Sequence, residues 1–301
     1  MTMAAIVSAP TGATGPSSRS CFASMEPGSP DLDAYFARIG YSGRAEPTLA
    51  TLQAIQALHA AAIPFENLSP LLGEPVPLDL RSLEHKLIAR RRGGWCFEHN
   101  LLYTHMLRAI GFEVTTLAAR VRWNVSPEVT TPRSHCLLRI DIEAERYIAD
   151  VGFGGLTLTA PLVLAPGVEQ ATPHEPHRLV EEGAGYALEA KVAGEWQRLY
   201  LFDLHEHLQA DYEVSNWYLA NFPQSQFVTG LVCARADREL RHALRNTRYA
   251  VHRKDGTTER RFITTLDDLK SVLRDALHVP LPESPRVDEV LQRVIDANPA
   301  G

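Results

Sequence analysis

What this chain has little of narrows its class before any motif is read. Four cysteines in 301 residues, at positions 21, 96, 136 and 233, are too few and too scattered for a disulfide framework. None stands in a Cys-x-x-Cys pair, which removes the strongest zinc and thioredoxin signals and favours a cytoplasmic chain with reduced thiols. No stretch of 18 apolar residues occurs, so nothing reads as a membrane span. Basic residues are not in excess: 30 Lys and Arg against 36 Asp and Glu leave a formal charge of -6, where a nucleic-acid binder carries a basic excess or stripe. The one compact basic run, Arg90-Arg91-Arg92, reads as a solvated helix end. Gly152-Phe153-Gly154-Gly155 is not G-x-G-x-x-G, and no G-x-x-x-x-G-K-[ST] is present, so neither a dinucleotide fold nor a phosphate loop is supported. Nineteen Gly and 20 Pro are ordinary shares that exclude collagen-like and wholly disordered chains.

What remains is a globular composition, 45% hydrophobic and 22% charged, whose length suggests roughly two domains at about 150 residues each. Residues 1–24, rich in Ala, Ser, Thr, Gly and Pro, lack a basic segment ahead of their short apolar patch. They read as a disordered leader rather than a secretory signal, with Met25 as an alternative start. Ordered structure is expected from Ser29-Pro30-Asp31-Leu32, where a capped helix runs through Tyr35 and Ile39 to Gly40. Leu49, Leu52, Ile55, Leu58 and Ala62 mark a helix over 48–62 that Pro64 stops; Leu80–Arg91 and Trp95–Ile110 are two more, the last ended by Gly111. Then the texture changes. Strands are expected at Val114–Trp123, Ser134–Ile142, Tyr147–Val151, Tyr186–Val192 and Trp196–Phe202, and later at Phe227–Ala234. Tyr249–Arg253 and Glu259–Ile263 flank Asp255-Gly256, a hairpin signal, and Leu266–Leu277 and Val287–Ala297 close the chain as helices. The domains expected are a helical bundle over 25–112, a β-rich section over 113–216 and a mixed α/β section over 217–301.

Cys96 carries the most chemical information. It follows Arg92-Gly93-Gly94-Trp95 and sits in the first turn of a predicted helix, where unpaired N–H groups and the positive end of the helix dipole favour a thiolate. A buried structural cysteine is the competing reading. A nucleophilic thiol needs a base and a group that orients the base. Among 12 histidines, His135 is set apart by its neighbourhood. In the alternating run from it, His135, Leu137, Arg139 and Asp141 share one face, and Cys136, Leu138 and Ile140 the other. If the following turn is Glu143-Ala144, Ile142 opposes Glu145 and Asp150 falls opposite Leu137, one diagonal from His135 on the same face. A three-residue loop would reverse that parity. Cys96-x-x-His99 lacks a second ligand pair for a metal. His174-x-x-His177 and His205-x-His207 read as surface histidines. Trp217-Tyr218, Phe222 and Phe227 gather around a Pro-kinked polar loop that suits a cleft wall. The same Cys–His–Asp logic serves cysteine hydrolases, which the residues alone leave open.

Arg92-Gly93-Gly94-Trp95-Cys96-Phe97-Glu98-His99-Asn100 resembles the active-site signature of the arylamine N-acetyltransferases. Pro64-Phe65-Glu66-Asn67-Leu68, Ser134-His135, Asp150-Val151-Gly152-Phe153-Gly154 and Phe222-Pro223-Gln224-Ser225-Gln226-Phe227 are similar to further motifs of that family, in the same order. The resemblance covers about residues 29 to 280. It implies an α+β fold made of an N-terminal helical bundle, a central β-barrel and a C-terminal α/β lid around a papain-like cysteine core. It also implies a triad with Cys96 as nucleophile, His135 as base and Asp150 as orienter. Phe153 and Phe227 would line an aryl pocket, Trp123, Ser134, Gly152 and Gly154 would lie near coenzyme A, and Glu66 and Arg92 would brace the catalytic turn. The implied partners are acetyl-CoA as cosubstrate and a small arylamine, arylhydrazine or arylhydroxylamine, with no metal and no permanently bound cofactor.

Overall fold

A computed structural model describes residues 28–299; the expected leader and the start at Met25 lie outside the described residues. The first part is helical. Asp31 accepts the Ala34 amide and opens α1 (Leu32–Ile39), and Thr48 caps α2 (Leu49–Ala62), which ends ahead of Pro64. A two-residue strand, β1 (Phe65–Glu66), and a single turn, α3 (Leu68–Leu71), follow. The helix expected over 80–91 begins as α4 (Leu80–Leu83) behind an Asp79 cap and widens into a π-helical stretch, Glu84–Ala89. Its end is a wide turn, with the Arg90 N–H bonded to the His85 carbonyl five residues back. Arg90 and Arg91 are exposed beyond it, whereas Arg92 turns inward. α5 (Cys96–Ile110) is buried nearly all round and ends at Gly111.

The middle of the chain is one antiparallel sheet of eight strands: β2 (Glu113–Val121), β3 (Arg133–Ile142), β4 (Glu145–Ala149), β5 (Leu162–Val163), β6 (Glu169–Gln170), β7 (His177–Glu182), β8 (Gly185–Val192) and β9 (Glu195–Phe202). Their order is β5-β4-β3-β2-β9-β8-β7-β6, and the sheet curls into a nearly closed barrel. Its two end strands meet through a side chain. The Gln170 amide oxygen accepts the Val163 N–H at 2.8 Å, and its nitrogen donates to the Val163 carbonyl at 2.9 Å.

After α6 (Gln209–Asn221) and α7 (Gln226–Thr229) comes a second antiparallel sheet of β10 (Val232–Ala236), β11 (Leu240–Arg245), β12 (Arg248–Arg253) and β13 (Thr258–Phe262), with β1 added beside β10. α8 (Leu266–Ser271), its π-helical continuation Val272–Ala276, and α9 (Val287–Asp296) pack against it. The strand expected over 227–234 therefore begins only at Val232. Ser225 caps a helical turn at Phe227, and the Asn67 amide takes the Phe227 and Gly230 carbonyls that a partner strand would otherwise bind.

Two cores share the β2–β4 wall. Cys136, Leu138 and Ile140 of β3 pack on the helices, while Leu137 points into the barrel with Leu117, Ile148 and Leu188. The same alternation corrects one expectation. His177 sits on an inward position of β7 and is fully buried, and His174 is half-buried against Thr159, so this pair is not a surface set. His205 is exposed as expected. Among the described residues no helix is long and apolar enough to cross a membrane.

Candidate active site

The β3–β4 turn is the two-residue form. Ile142 pairs with Glu145 and Leu138 with Ala149, and one further step puts Asp150 opposite Leu137. His135 and Asp150 then reach each other across one face of the hairpin: Nε2 of His135 lies 2.7 Å from an Asp150 oxygen. Both side chains are buried, Asp150 completely. That carboxylate is saturated. One oxygen accepts from His135 and from the Tyr200 hydroxyl at 3.0 Å; the other accepts from the Asn100 amide at 3.0 Å and the Gly152 N–H at 2.9 Å. Burial alone would raise its pKa, but the His135 charge and these donors hold it below the ordinary carboxylate value.

His135 shows the reciprocal effect. Burial works against its proton, yet the Asp150 charge and hydrogen bond, with lesser help from Cys96, raise the ring to about 10. With Nε2 given to Asp150, Nδ1 is the nitrogen left for the sulfur. The Cys96 thiol itself lies 3.7 Å from the Ser134 carbonyl.

The start of α5 is held from three sides. The Gly94 N–H donates to the Pro64 carbonyl at 3.2 Å and the Glu66 N–H to the Gly94 carbonyl at 2.8 Å, a parallel bridge between β1 and the turn ahead of Cys96. The approach is so close that a Cβ at Gly93 would stand 2.0 Å from the Pro64 oxygen, so only glycine fits. Glu66 accepts Arg92 Nε and Nη2 at 3.0 and 2.6 Å through one oxygen and the Leu68 N–H at 2.6 Å through the other. Glu98 accepts the Trp95 N–H at 3.1 Å and pairs with Lys86 at 2.7 Å. From the third side the Gly152 turn packs onto the helix, where a Cβ would fall 2.8 Å from the Cys96 Cα.

Three comparisons bear on this arrangement. The family model described as N-acetyltransferase matches residues 48–286. An arylamine N-acetyltransferase of Mycolicibacterium smegmatis is 44% identical over 247 residues, covering 81% of this chain and 90% of the relative. The chain belongs to the arylamine N-acetyltransferase family. The solved arylamine N-acetyltransferase from M. tuberculosis superposes with a TM-score of 0.84 at 40% identity, covering 87% of this chain and 99% of that one. A Mycobacterium marinum structure in complex with CoA gives 0.83 at 38% identity, over 89% and 99%.

In this member of the family, Cys96, Ser134, His135, Asp150, Gly152 and Phe153 come together at one place, with the Phe153 ring edge-on to His135 at 5.1 Å. Phe227 meets Trp95 edge-on at 5.2 Å and leans over Phe65 at 6.3 Å. Gly154 lies against the Phe65 ring. Trp123 is half-buried against the barrel interior, on which Phe153 also packs, and its backbone N–H donates to the Leu199 carbonyl. Cys96 and His99 do not face a common point: the His99 ring turns to the Pro64 carbonyl. Sequence reasoning assigned no part to three residues the site uses. Asn100 and Tyr200 hold Asp150. Asn67 binds the carbonyls of Phe227 and Gly230 at 2.8 and 2.7 Å and the Val232 N–H at 2.7 Å, setting where the Phe227 ring stands. Asn100 and Asn67 lie inside the quoted motifs, so position beside the cysteine and the Pro-Phe-Glu element was the available signal.

Proposed function

We propose that this protein transfers the acetyl group of acetyl-CoA to arylamines, arylhydrazines or arylhydroxylamines through a thioester on Cys96. The observation that carries the reading is the 2.7 Å His135–Asp150 contact beside a cysteine at a helix start. The relatives' names and the CoA-bound M. marinum structure support the donor and acceptor classes. The Cys96 sulfur attacks the thioester carbonyl, its proton held by His135 Nδ1. The tetrahedral adduct collapses with loss of coenzyme A as thiolate, which takes the proton from His135 Nδ1 and leaves the ring neutral. Backbone N–H groups at the helix start face the oxyanion.

An aromatic amine has low basicity and reaches the acetyl-enzyme unprotonated. Its nitrogen attacks the Cys96 thioester, His135 accepts the amine proton, and the sulfur leaves to restore the resting pair. Asp150, held by four donors, keeps Nε2–H in place so that Nδ1 faces the sulfur in both halves of the reaction. Phe153 and Phe227 line the aryl side; Trp123, Ser134, Gly152 and Gly154 form the coenzyme A side; Glu66 and Arg92 brace the turn. The α/β section over 217–301 acts as a lid, because the intermediate survives only if water is kept from it. The reaction takes place in the cytoplasm, where acetyl-CoA is present.

Intact-mass analysis after mixing with acetyl-CoA tests the reading. A single acetyl group mapped to Cys96, discharged by an aniline or hydrazine, is expected. Cys96→Ser abolishes both the adduct and turnover with the fold retained; turnover in that variant, or acetyl-CoA hydrolysed at the same rate without an amine, overturns it.

A further inference from the structure

Behind the catalytic turn runs a buried polar chain that the acetyl-transfer steps do not use. The Tyr35 hydroxyl lies 2.9 Å from His59 Nδ1, His59 Nε2 lies 2.9 Å from His99 Nδ1, and His99 Nε2 lies 3.1 Å from the Pro64 carbonyl. All three side chains are at most 1% exposed. The far end fixes the direction of every bond in the chain. A carbonyl only accepts, so His99 carries its hydrogen on Nε2. Its Nδ1 is then a lone pair, which requires a hydrogen on His59 Nε2. That leaves a lone pair on His59 Nδ1 for the Tyr35 O–H. Burial disfavours a charge on either ring, as do repulsion between the two rings and the Arg38 charge at His59, and it lowers His99 to about 4.

The carbonyl at the end of this chain is the one that receives the Gly94 N–H and presses on Gly93, two and three residues ahead of Cys96. The Phe65 ring lies parallel to His99, 6.5 Å away. We propose that Tyr35, His59 and His99 are positioning residues: a one-directional relay of donors that fixes the Pro64 carbonyl and, through it, the turn that aims the Cys96 sulfur. The relay rests on the reading of Cys96 as the reacting atom, and needs no particular acyl donor or acceptor.

Substitutions at the last ring separate positioning from filling. In His99→Gln the amide N–H replaces Nε2–H and the amide oxygen replaces Nδ1, so the order of donors survives. His99→Leu fills the space and supplies neither. In the full chain, the rate of Cys96 alkylation by iodoacetamide and its pH profile are expected within about twofold of the parent in H99Q. In H99L the rate at neutral pH falls about tenfold or more and the profile moves, the size expected for a misplaced reacting group. The dissociation constant for coenzyme A stays unchanged in both variants. An unaltered rate and profile in H99L overturns the proposal, as does an H99Q loss as deep as that of H99L. Should H99L fail to fold, nitrogen-15 NMR of the parent decides: hydrogens on Nε2 of both His59 and His99 are expected, and Nδ1–H on either ring overturns the relay. Alkylation involves no acetyl-CoA, so failure of the acetyl-transfer reading leaves this readout intact.

Discussion

Every partner of the Asp150 carboxylate is a donor: His135 Nε2–H, the Tyr200 hydroxyl, the Asn100 amide and the Gly152 N–H. An amide at this position must turn its own N–H2 toward two of them. If it faces His135, the ring shifts its hydrogen to Nδ1 and loses the lone pair that, in the proposed mechanism, takes the sulfur's proton. Asp150→Asn is therefore expected to slow Cys96 acetylation on the order of 10⁴-fold, the cost of a wrong tautomer in an analogous triad, measured by rapid-quench mass spectrometry. A loss below tenfold contradicts the orienting role. The same carboxylate gives His135 a pH signature. Its ring titrates at about 10 in the folded chain against 6.5 unperturbed. Such a group binds its proton more tightly folded than unfolded, so its stabilisation is complete below about 6.5 and is lost as pH rises through about 10. NMR of the ring should show it protonated at pH 8. Denaturant midpoints should fall between pH 7 and 10 in the parent and stay flat over that range in His135→Gln.

Elements meet around Cys96 where a methyl group has no room. A Cβ at Gly152 would stand 2.8 Å from both the Cys96 Cα and the Asn100 Nδ2. Gly152→Ala must push the turn off α5 and carry Asp150 with it. A cost of about 1–3 kcal/mol and severe loss of activity are expected. Gly155→Ala is the control, since its Cβ meets only Ala243 at 3.9 Å and should change stability by less than about 0.5 kcal/mol. Thermal melts and turnover of the two variants check this; equal damage in both refutes the steric account.

The elements most readable in the sequence were those whose pattern is local. α5 follows from its Gly-Gly entry and Gly111 stop, and the β3–β4 hairpin from strict alternation with a tight turn. β1 was not readable, because its two residues become a strand only by pairing with Cys233 and Ala234 far along the chain. α6 inverts the usual pattern: Val214, Trp217 and Tyr218 are exposed, while Asn216 faces inward to bond the Trp95 indole at 3.0 Å. Hydrophobic periodicity cannot find such a helix. The roles of Tyr200 and Asn67 are likewise tertiary, set by partners that no local spacing reveals.

A buried cation ties the two sheets to each other. Arg241 of β11 binds both Glu175 oxygens at 2.9 and 2.6 Å and the Thr157 carbonyl at 2.9 Å, in the loop that follows Asp150. Removing one member strands a buried charge. Glu175→Gln or Arg241→Met alone should each cost about 3–5 kcal/mol, and the double variant less than the sum. Urea unfolding measures this, with hydrogen exchange expected to rise first in β10–β13. Strict additivity would show the two side chains to be independent.

The barrel's last seam has a different character from its other joints. Between β5 and β6 the Gln170 amide stands in for a length of backbone ladder, and the short connection between the two strands adds one bond from the Gly167 N–H to the Leu179 carbonyl of β7. The hairpin that carries His135 and Asp150 borders β5 on that side, so the one joint of the cylinder without a strand ladder lies a single strand away from that pair.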